Sequence, residues 1–161
     1  MDILTERGQK TVRDEADAYR LWESHNPGWS VIKTPKDKPA SVDAFLVHDG
    51  EIKAVVECKC RYELDYYGFA TKFNSEWLVT MDKVIRGASV ARELCVPLVG
   101  FLYLADTGDL YCKELADNSG QFVVPFRCEN TVTQRTVNGG EAIRANAYID
   151  MTQARCYVAR S

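Results

Sequence analysis

Glu57, Lys59, Asp43 and Glu15 are the residues of this chain whose types and spacing suggest chemistry. In Glu57-Cys58-Lys59 the glutamate and lysine stand two apart, so in a strand they point the same way. The preceding Ala54-Val55-Val56 is apolar and β-branched, which places this strand inside a sheet. Ionised groups there are costly unless paired or bound to a metal. A second pair at the same spacing, Glu51-Ile52-Lys53, falls beside a turn, where charge is ordinary. Asp43 enters through the hairpin that Asp49-Gly50 announces between apolar runs. If that hairpin centres on Gly50, residues 43 and 57 oppose each other, with Cβ atoms roughly 4.5–5.5 Å apart. Two carboxylates so placed repel, and they suit a divalent cation such as Mg²⁺, whose oxygen ligands lie at about 2.0–2.1 Å. A two-residue turn would slip the register by one and separate the acids, unless a bulge restores it.

Glu15 comes from a helix expected over residues 11–25, with Thr11 as its N-cap and Asn26-Pro27-Gly28 as its stop. At about 100° per residue, Val12, Ala18, Tyr19 and Trp22 all fall within roughly 60° of Glu15. The carboxylate thus sits in an apolar stripe, either as a site residue or as a partly buried acid paired with an arginine. Asp14, Asp17 and Arg20 fall on the surface side, and Glu23, at the edge of the stripe, is the second choice.

The remaining elements follow from punctuation and periodicity. Short strands are expected over 29–33, 42–47 and 52–60, and 61–76 is an aromatic, polar segment without clear structure. A helix over about 81–95 leads to the apolar run Leu98-Val99-Gly100-Phe101-Leu102-Tyr103-Leu104, a buried strand. Further strands are expected over 121–127, 131–137, 141–149 and 155–158, with a tight turn at Asn138-Gly139-Gly140. The order α-β-β-β-α-β plus extra strands is that of a mixed α/β fold: one domain over 1–161, its core about 12–104 and a β extension about 105–161.

Composition sets limits. With 20 Lys+Arg against 23 Asp+Glu the formal charge is −3, which argues against indiscriminate nucleic-acid coating. No stretch approaches the roughly 18 apolar residues of a membrane span, and Met1-Asp2-Ile3-Leu4-Thr5-Glu6-Arg7 has no signal-peptide core, so a cytoplasmic protein is expected. The six cysteines, at 58, 60, 95, 112, 128 and 156, show no zinc-ligand spacing and read as reduced small hydrophobes. Two histidines are too few for chemistry built on several.

Glu15 on the first helix, Asp43 opening the hairpin and Glu57-Cys58-Lys59 on the next strand resemble the PD-(D/E)XK nuclease core. The most specific stretches are Val42-Asp43-Ala44-Phe45-Leu46-Val47-His48-Asp49-Gly50 and Ala54-Val55-Val56-Glu57-Cys58-Lys59-Cys60-Arg61. Val42 departs from the family's proline. The resemblance covers about residues 12–104 and implies a restriction-endonuclease-like αβββαβ core with a central mixed sheet flanked by helices. It implies Mg²⁺- or Mn²⁺-dependent hydrolysis of DNA phosphodiesters, with Asp43, Glu57 and the Cys58 backbone carbonyl as ligands and Glu15 acting through water or a second ion. Lys59 would orient the attacking water and offset developing charge.

Lys83 and Arg86 on the second helix either face the phosphate backbone, as such residues often do in relatives, or are solvated surface charges. Lys33, Lys36 and Lys38 form a basic loop suited to phosphate contacts. Arg61, Tyr62, Tyr66, Tyr67, Lys72 and Phe73 interleave cations with aromatics, which serves either unpaired bases or loop packing. Within the family a Holliday-junction-resolvase-type endonuclease, which would need a homodimer, competes with other nucleases. A catalytically silent structural or DNA-binding descendant is the reading from another class. The compact size without a recognition domain fits a viral or mobile-element source.

Overall fold

A computed structural model describes residues 5–35, 40–135 and 141–158. Helix α1 (Glu6–His25) begins five residues earlier than Thr11 suggested, because Thr5 is the cap: its hydroxyl accepts from the Gly8 N–H at 3.0 Å. Thr11 instead donates its hydroxyl to the Arg7 carbonyl at 3.1 Å, the back-bond of a threonine inside a helix. The buried face of α1 carries Glu15, Ala18, Tyr19 and Trp22, the stripe expected from periodicity.

Strands β1 (Trp29–Lys33), β2 (Ala44–His48) and β3 (Glu51–Arg61) form an antiparallel meander. Asp49 and Gly50 both adopt positive φ, 51° and 76°, as a two-residue hairpin turn requires. His48 pairs with Glu51 and Val47 with Ile52, the register that would have separated the acids. A bulge between Leu46 and Val47 then shifts the ladder by one, so that Leu46 meets Ala54 and Ala44 meets Val56. Both registers therefore occur in one hairpin, and the bulge brings Asp43 back to the level of Glu57.

The segment after β3 is ordered. Helix α2 (Tyr66–Lys72) is capped by Asp65, which accepts from the Gly68 N–H at 2.6 Å, and β4 (Glu76–Thr80) is a strand that the sequence pattern did not reveal. Helix α3 (Met81–Leu94) crosses to β5 (Leu98–Leu104), which pairs parallel with β3. Strand β6 (Asp109–Ala116) follows, then β7 (Phe126–Arg135), β8 (Glu141–Asp150) and β9 (Arg155–Val158).

The strands make a six-stranded mixed sheet ordered β1-β2-β3-β5-β6-β9 and a three-stranded sheet ordered β4-β8-β7. The two strands expected over 121–127 and 131–137 are corrected to one, β7, plus an isolated bridge between Ala116 and Phe122. The polar run at 127–130 did not break the strand because its backbone pairs with β8 and its side chains are exposed. Thr136, Val137 and the expected turn at 138–140 lie outside the described residues.

The domain is mixed α/β, and no helix among the described residues is long and apolar enough to cross a membrane. Two cores flank β3. Its even-numbered residues Val56 and Cys58 pack with Tyr19 and Trp22 of α1, and Val55 packs with α3, β4 and β5 on the other side. Each fully buried Val or Leu contributes roughly 1.5–3 kcal/mol, which is how the interior of the sheet tolerates a carboxylate. Gly100 of β5 stands beside Glu57 in register, and a Cβ there would meet Cζ3 of Trp77 at 2.5 Å. Only glycine leaves room for that indole beside the sheet.

Candidate active site

Glu57 is 1% exposed, and neither of its carboxylate oxygens has a hydrogen-bond donor. Beside it stands Asp43, just before β2. The Asp43 N–H donates to the Val56 carbonyl at 2.9 Å, and its Oδ2 accepts from the Cys58 N–H at 2.8 Å. Burial and then the negative charge of Asp43 push the Glu57 pKa up to about 8; Lys83 and Lys59 pull it down less strongly. The two carboxyls are near enough to share a proton when Glu57 carries one. At higher pH Lys83 and Lys59 offset the repulsion between them only in part. This donor set fits a hard divalent ion: carboxylates from adjacent strands, one of them buried with no competing donor.

Lys59 is half-buried two residues along the same face of β3 as Glu57. Lys83, in the first turns of α3, acts on the Glu57 carboxylate more strongly than Lys59 does. The sequence offered Lys83 as a phosphate contact or a surface charge. Its nearness to Glu57 depends on how α3 crosses β3, which no local pattern records.

Glu15 is 6% exposed and accepts from the Tyr19 hydroxyl at 2.7 Å. Tyr19 in turn lies near Cys58 and Asp43 as well as Glu15, so the helix brings its acid toward the Cys58 side of β3. Burial holds the Cys58 thiol well above its ordinary range, and Cys58 and Cys60 are free thiols. Glu23, the second choice, is engaged elsewhere, accepting from the Val31 N–H at 3.0 Å. Among the described residues no three His, Cys, Asp or Glu side chains gather in one ion-sized group. The acids stand as a pair, Asp43 and Glu57, with Glu15 held through Tyr19.

Glu15→Gln keeps the shape of the Tyr19 contact but removes the charge. If the chain is the nuclease that its sequence resembles and Glu15 supports the ion site, the variant should fold normally and cleave DNA about ten- to a hundredfold more slowly, with part of the loss recovered by extra Mn²⁺. Altered stability with unchanged turnover per folded molecule would assign Glu15 to structure alone.

Neither a family model nor a characterised protein matches the sequence.

The other sequence candidates divide by position. Lys33 is exposed at the end of β1, before the loop whose Lys36 and Lys38 lie outside the described residues. Arg86 pairs with Asp82 at 3.0 Å on the exposed side of α3, the arrangement of a solvated surface charge. Arg61 points from the same face of β3 as Lys59, and its Nη2 donates to the Leu78 carbonyl of β4 at 2.8 Å. Tyr66 and Tyr67 are exposed on α2, where Tyr66 stacks on Tyr111 of β6.

Proposed function

We propose that this chain is a divalent-cation-dependent deoxyribonuclease of the PD-(D/E)XK type, using Mg²⁺ or Mn²⁺. One observation carries the reading: a buried glutamate with two unpartnered oxygens lies beside Asp43, with Lys59 on its own face. A structural carboxylate in that place would have hydrogen-bond donors. The order α1-β1-β2-β3-α3-β5, with α2 and β4 intervening and β3 parallel to β5, supports the same reading.

Asp43 and Glu57 would hold the ion, with the Cys58 backbone carbonyl as a further ligand and Glu15 behind them. When bound, the ion supplies a Lewis acid for the scissile phosphate and a more acidic water. The chain's own residues do the positioning. The Cys58 N–H fixes one Asp43 oxygen, so the carboxylate is oriented before any ion arrives. Lys59 presents an ammonium where negative charge grows on the phosphate, and Lys83 balances Glu57 from the helix side.

The test is incubation of the purified chain with linear, nicked, single-stranded and four-way-junction DNA, with Mg²⁺, with Mn²⁺ and with EDTA. Cleavage of at least one substrate, stopped by EDTA, is expected. Selective cutting of the junction by a two-fold dimer would narrow the activity to a resolvase. Failure to cut any substrate with either ion would replace the nuclease with a silent descendant that only binds.

A further inference from the structure

A cavity of about 370 Å³ opens between α2, β4 and strands β7 and β8, at the far end of β3 from the hairpin. It shares strand β3 with Glu57. Arg61 lies in its wall on the same face of β3 as Glu57 and Lys59, and Leu102, which stands opposite Lys59 in register, lines it too. At about 3.3 Å per residue, Arg61 is roughly 13 Å from Glu57 along the strand.

The lining is aromatic and cationic. Phe73, Trp77 and Tyr148 supply ring faces or edges, and Lys72 and Arg127 join Arg61 against the single acid Glu76. Arg127 neutralises that acid, with Nε and Nη2 each 3.0 Å from its carboxylate, and stacks over Tyr148. Arg61 is different. Among the described residues its guanidinium donates to the carbonyls of Cys60 and Leu78, and no carboxylate pairs with it. A half-buried cation without a counter-charge, open to a cavity, is a place for an anion.

A ligand that satisfies this lining has a flat ring to stack and an anion for Arg61. A nucleotide has both. The volume is at the small end of the roughly 300–1,000 Å³ typical of ligand sites, so it suits one base rather than a base pair.

We propose that this cavity receives one unpaired base of a DNA strand, with Arg61 and Lys72 on the flanking phosphates, so that the acidic pair acts on single-stranded or frayed DNA rather than on intact duplex. The inference takes its substrate from the nuclease reading and narrows it.

Fluorescence anisotropy of the full chain in EDTA tests it apart from catalysis, with labelled single-stranded oligothymidylate and a blunt hairpin duplex as probes. The single strand should bind more tightly. Phe73 is 52% exposed, so Phe73→Ala should keep the fold, checked by its melting curve. It should weaken single-strand binding about tenfold, as expected for loss of a stacking ring, and leave the hairpin unaffected. Phe73→Tyr should restore the affinity. If Phe73→Ala melts early, Lys72→Gln on the exposed side of α2 replaces it, with a smaller loss expected on the single strand alone. Equal affinity for both probes, or single-strand affinity unchanged in a folded Phe73→Ala or Lys72→Gln, overturns the cavity. A chain that cuts nothing yet shows the tenfold loss keeps the cavity and loses the nuclease. A chain that cuts but shows no loss does the reverse.

Discussion

Glu57→Gln should melt at a higher temperature than the unaltered chain at pH 8 without divalent ions, and should cleave no DNA. The carboxyl titrates at about 8 in the folded chain against an ordinary 4.5, chiefly because burial and Asp43 disfavour its ionised form. Between those values the folded chain holds a proton that the unfolded chain has released, so stability falls as pH rises. Below about 4.5 both forms are protonated and the penalty is absent; above about 8 both are ionised and it is complete. With one pKa unit worth about 1.4 kcal/mol, the penalty is on the order of a few kcal/mol. Glutamine has the same shape and no charge, so it escapes the penalty while giving up the ligand. Urea denaturation across this window should show a stability decline in the unaltered chain that is reduced in the variant. Mg²⁺ or Mn²⁺ should raise the melting temperature of the unaltered chain most at the alkaline end and leave Glu57→Gln unmoved. A pH-independent difference would mean that Glu57 is not the titrating acid, and equal ion effects in both proteins would place the ion elsewhere.

Lys59→Ala should lower turnover about a hundredfold or more while the Mn²⁺ concentration for half-maximal activity changes little. The lysine shares the Glu57 face of β3 and would act on charge that exists only as the phosphate is attacked, the kind of contact whose loss appears in rate. Lys83 remains to balance Glu57, so the ion site should survive. Loss of the Lys59 charge also removes one of the influences that lower the Glu57 pKa, so the acidic limb of the pH–rate profile should move to higher pH. Weakened Mn²⁺ dependence with unchanged turnover would make Lys59 a salt-bridge partner instead.

Spacing alone was enough to put Glu15 in the buried stripe of α1 and Glu57 with Lys59 on one face of β3. Side-chain periodicity is a local property, so Glu15 among Ala18, Tyr19 and Trp22, and Glu57 two residues from Lys59, can be read from spacing alone. Hairpin chemistry at Asp49-Gly50 located β2 and β3, and the apolar run 98–104 located β5. Local signals misplaced the start of α1, where two threonines competed as caps and only the hydrogen bonds chose Thr5. They also missed β4, whose partner β8 lies some seventy residues away; pairing at that separation depends on tertiary packing rather than on local pattern. Only the tertiary structure decided whether Asp43 and Glu57 meet, because a bulge of one residue reverses the face of everything beyond it. It also decided that Lys83 faces Glu57 while Arg86, three residues on, pairs with Asp82 in solvent. Helix spacing leaves those two cations only about 60° apart and does not say which of them meets the sheet; the packing of Val84, Ala88 and Ala91 against it does.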